Sequence, residues 1–248
     1  MTCITCTAQY SDMLYLMLLI HMYEYRLFAL LARLTGAKSV LELGTFTGYS
    51  ALCFAEGIAM GSGKGHNSDH IGDNMTNSVI TCDIDAEAQK LAHEYIQQSP
   101  YKNMMTIHNT DCNSILQQYS SKNQQFDIIF IDSDKKQYIT YINTILTNHL
   151  LSPRGLIILD NTLWKGLVLH TQVDLQQYGE EFSIYGKSDR QQKLTNIIHD
   201  LNVYINSKSN VLRPLLLPMR DGLTIIEYIP QQQEEEEEEN EGGQNYDP

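Results

Sequence analysis

Polar residues with metal and sugar chemistry stand where apolar runs of this chain stop: Asp83 closes SVITCD, Asp132 closes FDIIFID, and Asp160 with Asn161 closes GLIILDN. Asp132, Asp160 and Asn161 offer hard oxygen donors and no thiol, a set that suits Mg²⁺, Mn²⁺ or Ca²⁺ with coordination positions left open. The plainer use makes Asp132 and Asp160 helix caps and gives Asn161 an Asx turn. One such strand end favours the plainer use; two together favour the cation. Asp83, with Asp85 two residues on, has two compatible uses, a bidentate acceptor for ribose hydroxyls and a cap for the following helix. A further stretch, ELGTFTGYS over residues 42–50, carries Glu42 and two glycines, Gly44 and Gly48. This GxxxG spacing lets the backbone approach a ligand, but it is not the GxGxxG of a pyrophosphate dinucleotide site. A carboxylate at position 42 suits a cationic headgroup better than a phosphate.

Ligands of a parallel α/β sheet bind at the carboxyl ends of its strands, so these residues need a chain that folds that way. Apolar runs at 39–44, 78–83, 104–109, 126–132 and 155–160 alternate with helical stretches near 48–59, 86–98, 112–119 and 136–149. That alternation builds right-handed crossovers and a parallel sheet with helices on both faces. Ahead of it, residues 10–34 repeat apolar positions at helical spacing and stop at Thr35-Gly36. Beyond Trp164 a polar stretch reaches Asp189, a helix is expected over 191–207, and VLRPLLLP and GLTIIEYI flank Arg220-Asp221-Gly222 as an antiparallel pair at the sheet edge.

With 248 residues, 42% of them hydrophobic, the chain suits one large α/β domain over 27–230. Its charge of −13 is mostly the tail after Pro230, where Glu234 to Glu239, Glu241 and Asp247 sit; without them 22 acids face 17 bases. That acidic body excludes a nucleic-acid partner held by phosphate contacts. The tail at 231–248 is expected to be disordered, since a Gln/Glu tract buries too little surface to fold. Five cysteines, an odd number, fit a reducing cytoplasmic compartment, and Cys3 and Cys6 read as loose thiols without a second ligand pair. The run MLYLMLLI at 13–20 is under half of the ~20 residues a membrane span needs. It reads as a packed or interface helix, and a homodimer through 13–30 is expected from it. The Gly, Ser, Asn and His-rich stretch 61–77 reads as a solvated loop.

LELGTFTGYS, CDID, FDIIFIDSDKKQY, GLIILDNTLWKG and LPMRDGLTI, in this order over about residues 27–229, resemble the cation-dependent class I O-methyltransferases, the family of plant caffeoyl-CoA and animal catechol O-methyltransferases. The resemblance implies a Rossmann-like fold with a mostly parallel seven-stranded sheet, its last strand antiparallel, and S-adenosylmethionine as methyl donor. By position it puts Asp132, Asp160 and Asn161 on the metal. Glu42, Gly44, Thr45, Ser50, Asp83, Asp111, Cys112 and Asp132 surround the S-adenosylmethionine, with Asp83 on the ribose and Asp111-Cys112 beside the adenine. Lys135 matches the general base of the catechol enzymes, and a lysine beside a cation is expected to have a lowered pKa. Trp164 and Lys165 fall at the substrate wall; core packing is the other use of Trp164.

Two departures shape the substrate expectation. The N-terminal segment 1–26 diverges from the family's usual covering region, and Lys165 stands where the plant enzymes typically carry Asn. The acidic body offers no basic groove for a coenzyme A phosphate. The expected reaction is therefore cation-dependent methyl transfer to one hydroxyl of a vicinal diol on a small, catechol-like aromatic. A cofactor-binding protein without catalysis, its lid degraded, is the alternative. A nicotinamide oxidoreductase ranks last, for want of GxGxxG.

Overall fold

The structure, a computed structural model, describes residues 26–62, 78–170 and 189–229. Most of the expected N-terminal helix, nearly all of the loop at 61–77, the polar stretch before Asp189 and the acidic tail lie outside the described residues. Among those described, strands β1 (Val40–Leu43), β2 (Val79–Asp83), β3 (Met105–Asn109), β4 (Phe126–Ile131), β5 (Leu151–Asp160), β6 (Leu212–Leu217) and β7 (Leu223–Tyr228) form one sheet in the order β3-β2-β1-β4-β5-β7-β6. The helices are α1 (26–35), α2 (Tyr49–Gly61), α3 (Ala86–Gln98), α4 (Cys112–Ser120), α5 (Tyr138–Thr147) and α6 (Asp189–Ser207).

Period-2 alternation builds a core on both faces of the sheet. Leu41, Leu43, Ile129, Ile131, Ile157 and Leu159 point to one side, where they meet Ile142 of α5 and Ile198 of α6. Val40, Ile128, Phe130 and Ile158 point to the other, against α1 and α2. There Phe28 stacks on Phe54 with ring centroids 5.0 Å apart and leans on Phe130 at 4.7 Å. Burial on both faces is why these strands read as near-continuous apolar runs.

β1 pairs in parallel with both β2 and β4, so the chain winds outward to β3 and then returns to the other side of β1. The crevice at the carboxyl ends of β1 and β4 is therefore the switch point where α/β sheets bind ligands. β7 is inserted antiparallel between β5 and β6, and β6 pairs antiparallel with β7, so β7 alone runs against the rest. The β6–β7 turn reaches back to the segment after β5: Thr162 N–H donates to the Gly222 carbonyl at 2.9 Å, and Leu163 and Trp164 N–H donate to Asp221 at 2.7 and 3.0 Å.

Two boundaries differ from the sequence expectation. β5 begins at Leu151, because Phe126 pairs with Leu151 before a register shift re-aligns Ile128 with Leu156. That irregularity accommodates Pro153, which reads as a strand breaker in sequence. The helix expected over 136–149 is a 3-10 turn, Lys135–Gln137, leading into α5. Asp134 accepts the Lys136 N–H at 3.2 Å and opens that turn. No described helix is long and apolar enough to cross a membrane.

Candidate active site

The site begins where β1 ends. Gly44 has φ +111, and a Cβ there would lie 2.1 Å from the Asp132 carbonyl oxygen, so the ends of β1 and β4 meet backbone to backbone. Gly48, at φ +79, precedes α2 and, having no side chain, makes no side-chain cap on its first turn. Between them Phe46 is also left-handed, at φ 46, and its N–H donates to Asp83 Oδ2 at 2.8 Å. The other oxygen of Asp83 accepts from Asp85 N–H at 3.0 Å. Asp85 caps α3, accepting from Glu87 and Ala88 N–H at 3.0 and 3.1 Å, so cap and possible binder are separate residues.

Beneath this loop lies a buried polar chain. Glu42 is wholly buried; Ser50 donates to its Oε1, and Thr81 Oγ1 donates to its Oε2 at 2.5 Å. Thr81 Oγ1 also lies 2.5 Å from Thr45 Oγ1, which accepts from Gln89 Nε2 at 3.0 Å. Burial pushes the Glu42 carboxyl up to about 8, against the hydrogen bonds of Ser50 and Thr81, and the Asp132 and Asp83 charges push the same way. A cation arriving above it would favour the charged form, so the carboxyl is built to respond to a positive ligand.

On the β3 side, Asp111 caps α4 through Ser114 N–H at 3.0 Å and Ser114 Oγ at 2.6 Å, and these bonds hold its carboxyl below its ordinary value. Cys112 opens α4, buried, with its Sγ 3.9 Å from Cys82 Sγ. A cavity of ≈ 620 Å³ runs along these strand ends, and Gly44, Thr45, Ser50, Asp83, Asp111, Cys112 and Asp132 all line it. Glu42 lies below its floor. Phe46, Tyr49 and Ile84 line it too, with Phe46 71% and Ile84 75% exposed, an apolar rim ready to cover a planar ligand. Sequence reasoning passed over these three; the available signal was an apolar residue directly beside a functional one at a strand end.

At the β4 and β5 ends, Ile131 pairs with Leu159, so Asp132 and Asp160 leave adjacent strands side by side. Lys135 Nζ lies 2.7 Å from Asp132 Oδ1, its side chain 13% exposed, and 5.3 Å from the centroid of the Tyr138 ring. Asp160 is buried and accepts the Asn161 N–H at 2.6 Å, while Asn161 sits at φ 63, a conformation its short amide tolerates. Among the described residues no three His, Cys, Asp or Glu side chains gather around one point. The set here is two carboxylates and an amide, all hard oxygens, and the ammonium on Asp132 shows that this corner accepts positive charge. Those donors suit a divalent cation that keeps other ligands. Asp160, Asn161, Lys135, Trp164 and Lys165 are not among the residues lining the cavity. Trp164 packs partly buried against the core beneath β5, its Nε1 without a hydrogen-bond partner among the described residues, and both it and Lys165 hold positive φ, at 46 and 59.

The family model for O-methyltransferases matches residues 5–229. The chain belongs to the O-methyltransferase family. Among its relatives are O-methyltransferase ankF of Aspergillus thermomutatus, 31% identical over 77% of this chain and 71% of the relative, and catechol O-methyltransferase domain-containing protein 1 of Mus musculus, 30% identical over 82% and 64%. Among solved structures, the SAH-bound methyltransferase PaMTH1 of Podospora anserina superposes with a TM-score of 0.62 at 21% identity, covering 84% of this chain and 78% of that one. The O-methyltransferase of Bacillus cereus in complex with SAH does so at 0.62 and 20%, covering 90% and 93%. These neighbours share the fold that the motifs imply, a mostly parallel seven-stranded sheet with helices around it.

Proposed function

We propose that this O-methyltransferase moves the methyl group of S-adenosylmethionine to one hydroxyl of a vicinal diol on a small aromatic, in the presence of a divalent cation held by Asp132, Asp160 and Asn161. The observation that carries the reading is the meeting of two sites at Asp132, which lines the cavity on one side and touches Lys135 at 2.7 Å on the other.

The chain's own residues divide the work. Ser50 and the α2 amides face the amino-acid end of the donor, with the Glu42 carboxyl beneath ready to ionise against its positive charge. Asp83 already accepts two amides and keeps lone pairs for ribose hydroxyls. Asp111 and Cys112 flank the adenine, and Phe46 and Ile84 exclude water at the rim. A bound cation supplies a lowered hydroxyl pKa and a fixed direction for the attacking oxygen. Lys135 Nζ, 2.7 Å from Asp132 Oδ1, is the group placed to take the hydroxyl proton. Trp164 and Lys165 stand on the acceptor side of the cation residues.

Methyl transfer from labelled S-adenosylmethionine to a panel of catechols, with Mg²⁺ and again with a chelator, tests this directly. Label that appears only with metal, and is lost in Asp160→Ala, is the expected result. Donor binding by calorimetry with no label in either arm would replace it with the cofactor-binding alternative. A dimer through 13–30 is a separate proposal, supported by exposed Leu30, with Leu34 exposed one turn beyond that segment on α1; a monomer mass by light scattering would overturn it.

A further inference from the structure

Cys82 and Cys112 meet across the wall of the cavity, and the proposed methyl transfer uses neither thiol chemically, Cys112 serving only as a wall beside the adenine. Cys82 is wholly buried in β2, while Cys112 opens α4 and is the one of the two that lines the cavity. Their sulfurs are 3.9 Å apart, against ~2.05 Å in a disulfide, so about 1.9 Å of closure joins them. Both are free thiols in the structure.

We propose that Cys82 and Cys112 form a peroxide-sensitive dithiol, with Cys112 the attacked sulfur and Cys82 the resolving one, whose oxidation to a disulfide distorts the adenine side of the cavity. Geometry assigns the roles: a small oxidant entering the cavity reaches Cys112 first, and Cys82 is behind it in the sheet. Position reinforces this, since a thiolate at the first residue of a helix faces the positive end of its dipole. The contact with Cys112 and burial push the Cys82 thiol up, while the same contact, against burial, pulls the Cys112 thiol down.

The chemistry balances with a hydroperoxide as oxidant. The Cys112 thiolate attacks one peroxide oxygen, the O–O bond breaks, and the leaving oxygen takes a proton as water or alcohol, giving a sulfenic acid. Cys82 sulfur attacks the sulfenic sulfur, the S–O bond breaks, the Cys82 proton leaves with the hydroxyl as a second water, and the S–S bond forms. The peroxide gains the two electrons the thiols lose, and thiol exchange with a small reductant reverses the step. Closing the gap draws the start of α4, with Asp111, toward the sheet.

The test uses the full chain, free of ligand, titrated with hydrogen peroxide and followed by non-reduced peptide mapping. A linked Cys82–Cys112 peptide that disappears with dithiothreitol is expected, and mapping distinguishes it from any Cys3–Cys6 bridge. In Cys82→Ala, Cys112 should instead advance to the sulfinic acid, for want of a resolving thiol. Absence of the linked peptide while other cysteines oxidise overturns the proposal, as does a Cys82→Ala variant with the same Cys112 products as the parent. S-adenosylhomocysteine at about 100 times its Kd should slow the linkage on the order of 100-fold, because only the empty cavity admits the oxidant. That arm alone rests on the cofactor reading: linkage that forms equally fast with ligand upholds the dithiol and sinks the assignment of the cavity.

Discussion

Replacing Gly44 with alanine tests the claim that the ends of β1 and β4 are held by a contact only glycine allows. At φ +111 an L side chain is strained by about 1–3 kcal/mol. The added Cβ would also lie 2.1 Å from the Asp132 carbonyl oxygen, about 0.9 Å inside the 3.0 Å that real Cβ contacts respect. The obstacle is backbone and cannot rotate away. Relief means moving Asp132 and stretching its N–H bond to the Leu43 carbonyl, now 2.9 Å. Overpacking of this kind adds about 1–3 kcal/mol, for a total of roughly 2–6. Gly36 is the control: it too is left-handed, at φ +68, but nothing lies within 4 Å of its Cβ position. Gly36→Ala should cost only about 1–2 kcal/mol. At roughly 2–4 °C per kcal/mol for a domain of this size, Gly44→Ala should melt about 4–24 °C lower than the parent and Gly36→Ala about 2–8 °C lower. Calorimetric titration with S-adenosylhomocysteine should show affinity lost in Gly44→Ala alone. Equal melting shifts with affinity retained in both would refute the backbone contact.

Other expectations follow from the same geometry. Because burial raises the Glu42 carboxyl from 4.5 to about 8, the folded state holds a proton that the unfolded chain releases; its contribution is full below about 4.5 and is lost as pH rises toward about 8. Unfolding free energies from urea titration should therefore fall across that window in the parent, by up to about 1.4 kcal/mol per pH unit, relative to Glu42→Gln; parallel curves would show that Glu42 is charged throughout. On the proposed role of Lys135 as proton acceptor, Lys135→Met should lower kcat about 10²–10⁴-fold with donor affinity little changed; a matching loss of donor affinity would place Lys135 in binding instead. Asp85→Ala should cost about 1 kcal/mol of stability through the α3 cap, and activity at a temperature well below the melt should survive it.

Much of this architecture is local enough to be read from the chain. Near-continuous apolar runs such as FDIIFID state their own burial on both faces, and Asp85 announces a helix start because an N-cap bonds only to residues two and three further on. Lys135 was legible as a site residue three positions beyond Asp132, and the structure adds the ion pair that the tight turn forms between them. What the sequence could not show depends on distant partners. Glu42 reads as a ligand-facing acid, yet it lies below the floor, held by Thr81 and linked through Thr45 to Gln89, contacts 36 to 44 residues apart along the chain. The 151–154 extension of β5 follows from a register shift against Phe126 that no local pattern encodes. The Cys82–Cys112 contact likewise depends on where β2 sets α4.

The placement of β7 has a consequence for the order in which the chain becomes functional. The loop that follows Asp160 and Asn161 is fastened by carbonyls of Asp221 and Gly222, and Asp160 itself pairs with Leu223. A nascent chain that has emerged only through β5 lacks those carbonyls, together with Ile198 of α6 and Leu223 of β7, which complete the two cores. The segment after Asp160 and Asn161 is thus set only once residues 221–223, about 60 positions further along the chain, have been made. Such a late fastening works as a check on length: a product truncated before residue 221 would keep Asp132 and Asp160 in its sequence yet lack the turn that fixes the loop after them.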